Sequence, residues 1–387
     1  MEIDKYYEGR EHSAIKHELL KGYLEKLLYI IGVSGVKEIT YVDCFAGPWG
    51  DESEDLAGTS IAISLDKVKL VKEGLASHKI EGTTFRTIYV EAQRKRYKKL
   101  KSYLDEKCPA YIEHHALHGD YAVLQDDILS RCGNGFTFFF IDPKGWTDVG
   151  MPKLSKLLRR PNSEFFITFM YDPLNRFLSK NKLREQVSQL LGDIDEKWIA
   201  NLQSMEPKKR EEEVVRRYRD QLVSTIGGTG ANKPRSYHAT VLNKDKNKTI
   251  YHMVYLTRHP KGILEFSRIS EKVEIIQRRV RYERREKCTG QMNLIPIEDS
   301  DLRDQFAADI EDVKQFWMDR LSSKPTSYNE ADLADWLEQT GWLENDFQLA
   351  FKELQKEKQV ENVSDTSNRR KKWFVHFNKS ERLRRCV

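Results

Sequence analysis

Cysteine is scarce in this chain, and the few residues present are not paired. The five cysteines never fall in a C-x-x-C spacing; they are Cys44, Cys108, Cys132, Cys288 and Cys386. Zinc sites, iron–sulfur clusters and disulfide frameworks draw on closely spaced or evenly paired cysteines. The sequence therefore indicates no metal site, and the thiols are predicted to be free.

Long apolar runs are also lacking. No run approaches the roughly 20 apolar residues that a membrane span requires, and the first ten residues contain no apolar signal-peptide core. The expectation is a cytoplasmic protein without a membrane anchor. The apolar share of 39% over 387 residues is nevertheless enough for packed cores in two or three domains.

A G-x-G-x-x-G dinucleotide fingerprint is missing from the stretch around which the chain is organised, Tyr41-Val-Asp-Cys-Phe-Ala-Gly-Pro-Trp-Gly50. An apolar strand there runs into an acid and then into a turn with two glycines. Open α/β folds bind ligands at the carboxyl ends of their strands, and glycine lets the backbone approach a bound molecule. The turn is therefore a candidate cofactor site, formed by Asp43, Phe45, Ala46, Gly47, Pro48 and Gly50. A tight turn without a ligand explains the glycines equally well.

Positive charge is concentrated at the end of the chain. The net charge is only +5, yet residues 366–387 carry eight Lys or Arg against one Glu, which leaves about −2 on the rest. Residues 276–288 form a second basic block. Both blocks are candidates for phosphate binding, although an arginine-rich solvated helix face has the same composition.

Strand and helix patterns alternate through the first part of the chain. The predicted strands are 38–43, 87–91, 111–117, 136–142 and 164–170, followed by a charged helical insertion at about 176–230 and a strand pair at 236–241 and 249–256. This order predicts a parallel sheet with helices on both faces and an antiparallel pair near its end. The expected fold class is α/β, a Rossmann-like class I methyltransferase sheet within residues 1–290.

The last part of the chain has a different pattern. A connecting helix within 291–324 ends at Lys324-Pro325, and two helices then precede strand-like runs at 359–363 and 372–377. This order predicts a winged-helix domain over 325–387, with a basic tail and with Arg369, Arg370 and Lys371 in the hairpin loop. The would-be recognition helix has mixed charge, so packing against another domain or a protein partner is an alternative to nucleic-acid contact.

Acidic residues stand at the predicted ends of four successive strands. They are Asp43, Glu91, Asp120 and Asp142, and Tyr121 beside Asp120 is a further candidate for cofactor contact. In S-adenosylmethionine enzymes the first such acid lies near the methionine part, the second accepts hydrogen bonds from the ribose hydroxyls, and the third reaches the adenine amino group. The acids therefore predict this cofactor, although a helix N-terminus also favours a nearby acid that binds nothing. In dinucleotide-binding folds roughly 20 residues separate the glycine motif from its acid, and the separation between Asp43 and Glu91 is longer. Insertions between the two strands would account for the difference.

The turn Asp142-Pro-Lys-Gly-Trp146 is the candidate for chemistry. Amino-group methyltransferases use Asp/Asn/Ser-Pro-Pro-aromatic at this place, where the first side chain and a carbonyl accept hydrogen bonds from the target amine and the aromatic ring stacks on the base. Here Lys144 and Gly145 depart from that pattern. We expect Asp142, Pro143 and Trp146 to present the target, and Lys144 and Arg176 to contact the substrate.

Several motifs together resemble the bacterial three-Cys-motif partner proteins, which are class I methyltransferase-like. The matching motifs are Lys16-His17 with Leu20, Tyr23 and Leu24, then Tyr41–Pro48, Gly58–Ile63, Phe140–Gly145, Asn175–Phe177 and Tyr251–Gly262. The resemblance implies S-adenosylmethionine binding, a winged-helix tail and a separate partner protein that carries the three-cysteine motif. We expect Lys16 to reach the carboxylate of the cofactor.

The sequence thus predicts an S-adenosylmethionine-dependent methyltransferase that acts on nucleic acid, with a base amino group as the candidate target, and that works with a three-cysteine-motif partner. The alternative is a non-catalytic regulator or scaffold that binds the cofactor or DNA. A third reading is a methyltransferase that acts on its partner protein. The sequence does not decide between DNA and RNA.

Overall fold

The structure is a computed structural model that describes residues 11–47, 56, 58–178, 181–289, 297–365 and 373–386. The chain divides into two compact units, Met1–Arg258 and His259–Val387. Among the described helices, none is long and apolar enough to cross a membrane. Five positions of the predicted site lie outside the described residues: Pro48, Gly50, Arg369, Arg370 and Lys371.

Strands and helices alternate in the first unit. The strands are β1 (Glu38–Asp43), β2 (Thr84–Glu91), β3 (Glu113–His118), β4 (Phe136–Ile141), β5 (Ser163–Phe169), β6 (Arg235–Leu242) and β7 (Thr249–Thr257). The helices are α1 (Glu11–Val33), α2 (Ser60–Ser77), α3 (Arg94–Lys107), α4 (Gln125–Arg131), α5 (Met151–Leu158), α6 (Tyr171–Asn175), α7 (Arg184–Leu191), α8 (Glu196–Ser204) and α9 (Pro207–Ile226).

The seven strands form one sheet in the order β3-β2-β1-β4-β5-β7-β6. Strands β1 to β5 are parallel, whereas β7 runs antiparallel to both of its neighbours. This is the doubly wound strand order, with the reversed strand β7 inserted between β5 and β6. The predictions of an α/β fold and of an antiparallel pair near the end of the sheet are confirmed, and the architecture is consistent with a Rossmann-like methyltransferase fold.

The core lies on both faces of the sheet. Strand β4 is buried at all of its positions, as its continuous apolar run predicts for a central strand. Helix α1 packs on one face through a stripe of buried apolar residues, Leu20, Leu24 and Leu28 among them. On the other face Tyr218 of α9 stacks on Phe169, with ring centroids 4.3 Å apart. The charged insertion is therefore helical, as predicted, and its apolar side completes the core.

One polar network is buried between α1 and the sheet. The Glu164 carboxylate of β5 accepts hydrogen bonds from the Tyr23, Tyr255 and Thr257 hydroxyls at 3.0, 2.8 and 2.7 Å. Because Tyr23 belongs to α1 and the other two residues to β7, the network fixes the helix on the sheet. Burial raises the pKa of Glu164, against the opposing effect of these hydrogen bonds.

The second unit begins with a long helix. Its elements are α10 (Pro260–Thr289), α11 (Asp299–Asp304), α12 (Ile310–Arg320), β8 (Thr326–Ser327), α13 (Glu330–Thr340), α14 (Glu344–Lys356), β9 (Val360–Asn362) and β10 (Arg382–Arg385). The three short strands form a sheet in the order β8-β10-β9. The sequence predicts a domain boundary near residue 290, which would assign α10 to the domain of the large sheet. In the structure α10 belongs to the second compact unit, with the C-terminal helices. Side-chain ties such as the Arg268–Glu344 ion pair, at 2.7 Å, hold α10 to α14.

The strand predicted over 372–377 is wrong for its described part, residues 373–377. The last strand is β10 instead. The apolar alternation there reflects burial in an irregular segment, because Val375 and Phe377 are both buried. The side chain of Gln348 in α14 holds this segment: its Oε1 accepts from the Phe374 and Val375 backbone N–H groups at 2.8 and 3.0 Å, and its Nε2 donates to the Val375 carbonyl at 2.8 Å.

Candidate functional site

The turn after β1 is shaped by its own acid. Asp43 is fully buried, and its two carboxylate oxygens accept hydrogen bonds from the Phe45 N–H at 2.9 Å and from the Ser60 hydroxyl at 2.6 Å. Burial raises the pKa of Asp43 to about 7, although both hydrogen bonds oppose the rise. Asp43 therefore fixes the path of the turn. Ser60 was not predicted as a residue of the site. Its position at the N-terminus of α2 was the sequence signal that could have indicated it.

The other described residues of the turn after β1 contribute backbone groups and one aromatic ring to the site. The Ala46 N–H donates to the Val90 carbonyl at 2.9 Å, which ties the turn to β2, and the Gly47 N–H donates to the Phe45 carbonyl at 2.8 Å. The ring of Phe45 is half-buried and lies 5.0 Å from the ring of Tyr121. Two of the predicted cofactor residues thus form one aromatic wall at the carboxyl ends of the strands.

Glu91 ends β2 beside this turn. It is 4% exposed, and its Oε1 accepts a hydrogen bond from the Gln93 N–H at 2.5 Å. Within the described part of the chain, no group donates a hydrogen bond to Oε2. A buried carboxylate with one oxygen still able to accept suits a ligand that offers hydroxyl donors.

The segment after β3 contributes one exposed and one buried residue. Asp120 is exposed, and its Oδ1 accepts a hydrogen bond from the Ala122 N–H at 2.8 Å, as in a helix-initiating turn. Tyr121 is buried and donates its hydroxyl to the Asp148 carbonyl. Burial raises the pKa of Tyr121, so this residue is a neutral part of the wall.

Asp142, immediately after β4, forms an ion pair with Lys16 of α1. Both side chains are mostly buried, with exposed fractions of 16% and 13%. The other carboxylate oxygen of Asp142 accepts a hydrogen bond from the Thr168 hydroxyl at 2.6 Å. Lys16 was predicted to reach the carboxylate of a cofactor, whereas the structure pairs its ammonium with the candidate catalytic acid. Thr168, at the end of β5, was not predicted.

A tyrosine also lies beside this ion pair. The ring centroid of Tyr251 is 6.0 Å from the Lys16 Nζ, and the Tyr251 hydroxyl donates to the His12 carbonyl at 2.7 Å. Burial raises the pKa of Tyr251, and the Asp142 charge adds to the rise. Sequence reasoning had noted the motif that begins at Tyr251 but gave it no role, because only the pairing of β7 with β5 brings it to Asp142.

The remaining predicted residues of the Asp142 turn differ in exposure. Pro143 is buried, and Trp146 is only 6% exposed because its ring packs into the core beside Phe177. Its ring therefore has little surface on which a base could stack. Lys144 is exposed; partial burial and the Arg96 charge lower its pKa, while Glu91 opposes this, so Lys144 lies within the field of both groups.

Arg176 lies further along the same edge of the sheet. Its guanidinium is 3.7 Å from the Asp172 carboxylate, and its side chain is 65% exposed. Asp172 also forms an ion pair with Lys248 of the β6–β7 loop. Lys248 lies between the two strands that the sequence predicts as a pair, and it was not predicted as a neighbour of the site.

A second polar cluster lies under this edge. His252 of β7 is 2% exposed, and its ring nitrogens are 3.1 Å from the Thr240 hydroxyl and 3.1 Å from the Glu211 carboxylate. Burial raises the pKa of Glu211, but the hydrogen bond and charge of His252 outweigh it and the net pKa is lowered. The cluster joins α9 to β7 and β6 beneath the surface, which makes it a structural tie.

No family model matches the chain, and no curated protein matches it significantly. Two solved structures that resemble it are a candidate caffeoyl-CoA O-methyltransferase from Staphylococcus aureus and the YcgJ protein from Bacillus subtilis. The first is 11% identical over 60% of this chain and 82% of its own, with a TM-score of 0.27. The second is 13% identical over 59% of this chain and 94% of its own, with a TM-score of 0.21.

Proposed function

We propose that this chain is an S-adenosylmethionine-dependent methyltransferase. The observation that carries the proposal is the position of Asp43, Glu91 and Asp142 at the carboxyl ends of adjacent strands β1, β2 and β4. The strand order reverses between β1 and β4, and open α/β sheets bind their ligands in the crevice at such a switch point. The seven-stranded order with one reversed strand is the form of a class I methyltransferase sheet.

The residues present suit this cofactor. Glu91 Oε2 would accept from the ribose hydroxyls, and Phe45 and Tyr121 would form a wall beside the base. Asp120, which is exposed, would reach the adenine amino group, and the backbone at Ala46 and Gly47 would approach the methionine part. Pro48 and Gly50 lie outside the described residues, and their contact with the cofactor stays a prediction. When bound, the cofactor supplies a methyl group on a positively charged sulfur.

The cofactor assignment is tested by calorimetric titration of Glu91→Ala with S-adenosylmethionine. We expect binding to be lost, because the two ribose hydroxyls lose a charged acceptor, and hydrogen bonds to charged groups are worth about 1.5–3 kcal/mol each. The matched control is Glu113→Ala, which removes a carboxylate at the start of β3, at the opposite edge of the sheet. Unchanged binding by Glu91→Ala would sink the ribose assignment.

Nucleic acid is the proposed substrate class. In the second unit a helix, a strand, two helices and two further strands support a winged-helix reading. Arg382 and Arg384 of β10 are exposed, and Arg369, Arg370 and Lys371, which precede this strand in the sequence, would add to this positive charge. Helix α14 is a poor base reader, because its Glu344 and Gln348 are buried in internal contacts. Phosphate contact would therefore come from the hairpin and tail, and from Lys144 and Arg176 at the catalytic edge.

Two further parts of the proposal rest on the resemblance to three-Cys-motif partner proteins. A separate protein with a three-cysteine motif would be the partner, and the cytoplasm would be the location. A pull-down of the tagged full chain, analysed by mass spectrometry, tests the partner. Recovery of no protein with clustered cysteines would count against it.

A non-catalytic regulator that binds the cofactor is the second candidate. It is favoured by the Asp142 turn, in which Pro143 and Trp146 are buried and both Asp142 oxygens already accept from Lys16 and Thr168. A labelled-methyl assay over DNA, RNA and the copurifying partner separates the candidates. Incorporation that disappears in Asp142→Ala supports the enzyme, and cofactor binding without incorporation on any substrate supports the regulator. Incorporation into the partner alone would support protein methylation.

A further inference from the structure

We infer that the atom methylated at this site is a hydroxyl oxygen, which in a nucleic acid is the 2′-hydroxyl of an RNA ribose. The inference rests on the proposed methyltransferase function with a nucleic-acid substrate, and it replaces the base amino group as the target. The observation behind it is the Lys16–Asp142 ion pair, held by Thr168 at the carboxyl end of β4. An ammonium and a carboxylate thus stand together where the acceptor must lie.

An amino acceptor fits these surroundings poorly. A base amine needs an aromatic platform on which its ring can stack, but Trp146 packs into the core. A nitrogen that attacks a methyl group also acquires positive charge. The Lys16 ammonium, which stays at the site because Asp142 pairs with it, would oppose that charge.

A hydroxyl acceptor has the opposite requirements. It is a weak nucleophile until its proton leaves, and the oxygen then carries negative charge. The Lys16 ammonium stabilises this charge, and the Asp142 carboxylate is the adjacent proton acceptor. The Thr168 hydroxyl holds the other Asp142 oxygen and so orients the carboxylate.

The step balances without a further reactant. The substrate hydroxyl gives its proton to Asp142, which later releases it to solvent, and Lys16 stays protonated throughout. The new bond forms between the substrate oxygen and the methyl carbon, while the bond between that carbon and sulfur breaks. Its electron pair stays on sulfur and neutralises the positive charge there, so the products are an ether, a thioether and one proton.

Product identity is the first test. The full-length protein is incubated with labelled methyl donor and either total bacterial RNA, a random-sequence RNA pool or the DNA pool of the same composition. We expect label in 2′-O-methyl nucleosides after digestion and chromatography, and none in DNA. Label on a base nitrogen would overturn the oxygen assignment and leave the methyltransferase proposal standing. Calorimetric cofactor binding without incorporation into RNA or DNA would overturn both.

The role of Lys16 is tested by Lys16→Met and by the charge-retaining Lys16→Arg. The matched control is Lys21→Met, on the same helix, whose ammonium pairs locally with Glu18 at 2.9 Å. We expect Lys16→Met to lower kcat by about 10²–10³-fold and to make kcat rise with pH, because the hydroxyl must then ionise without a neighbouring cation. Lys16→Arg should lose less, and Lys21→Met should match the unmodified protein. A Lys16→Met kcat that is unchanged and flat with pH would contradict the assignment.

A binding measurement without methyl donor gives an independent readout. Fluorescence anisotropy compares affinity for the RNA and DNA pools, and melting temperatures establish that each variant is folded. We expect the unmodified protein and Lys21→Met to bind the RNA pool more tightly than the DNA pool, and Lys16→Met to lose part of this preference. Equal RNA-to-DNA affinity ratios in all three proteins would count against a 2′-hydroxyl contact at Lys16.

Discussion

Asp43 shows how one buried acid in this protein couples the fold to pH. In the folded protein its pKa is raised to about 7 from the ordinary 3.8, chiefly by burial. The folded carboxyl therefore stays protonated over a range in which the unfolded chain has already released the proton. Its contribution to stability is fully present below the unfolded pKa and is lost as the pH rises through the folded value.

For Asp43→Asn we expect the free energy of unfolding to depend less on pH between about pH 4 and pH 7. The substitution should remove the contribution of Asp43 to this dependence, a fall of about 1.4 kcal/mol per pH unit. An asparagine oxygen can still accept from the Phe45 N–H, so the turn itself should persist. Urea unfolding across this pH range is the measurement, with exposed Asp66→Asn on α2 as the control. A slope that is the same in Asp43→Asn and the unmodified protein would refute the prediction.

Among the secondary-structure elements, helix α1 is the one that brings Lys16 to Asp142. Its position on the sheet depends on the buried Glu164, which accepts hydrogen bonds from Tyr23 of α1 and from Tyr255 of β7. Asp142 follows the carboxyl end of β4, whereas Glu164 lies near the start of β5, so the ion pair and this network lie at opposite ends of the parallel strands. The ion pair at one end is therefore supported by a polar tie at the other.

We predict that Glu164→Ala destabilises the protein by about 3 kcal/mol, because buried hydroxyls lose their acceptor, and each such loss costs about 1–3 kcal/mol. Glu164→Gln retains one oxygen acceptor and should lose less. Chemical denaturation measures the change, and exposed Glu106→Ala on α3 is the control. A loss in Glu164→Ala no larger than that of the control would mean that the network does not anchor α1.

Helix α14 illustrates the limit of sequence patterns for a single element. Its acidic and amide residues suggested a mixed recognition surface, but Asp346 pairs with Arg303 and Glu344 pairs with Arg268. Gln348 is used to hold the segment before β10. Glu344, Asp346 and Gln348 are thus internal contacts of the second unit.

At the scale of the whole molecule, the uneven charge predicts how nucleic-acid binding depends on salt. The last 22 residues, 366–387, carry most of the positive excess while the rest of the chain is slightly negative. Each phosphate contact that is lost lowers the slope of log K against log salt by about 0.7–0.9. Replacement of Arg369, Arg370 and Lys371 by glutamine should therefore reduce the slope, with little effect on cofactor affinity.

The measurement is a salt titration of RNA binding followed by anisotropy. The matched control replaces Lys95, Lys98 and Lys101, which lie exposed on α3, by glutamine, with the same change in charge. Equal slopes for the two triple variants would show that total charge matters and that the hairpin and tail have no special place in binding.

The alternation of strands and helices and the acids at the strand ends could be predicted from the sequence. Apolar periodicity and strand-end positions are local properties, and parallel strands bring their carboxyl ends to one edge by geometry alone. The sequence pattern failed where a residue's role depends on distant packing. The run at 373–377 reads as a strand, for example, but is an irregular segment whose apolar residues are buried.

The composition of the site depends on contacts between residues that are far apart in the sequence. Lys16 and Asp142 are 126 positions apart, and Tyr251 lies on β7, which follows the helical insertion in the sequence and pairs with β5. The same folding buries Trp146, which sequence alone assigned to the substrate. Contacts over such separations follow from the packing of whole elements. No local pattern records them, and they are what point to an oxygen acceptor in place of an amine.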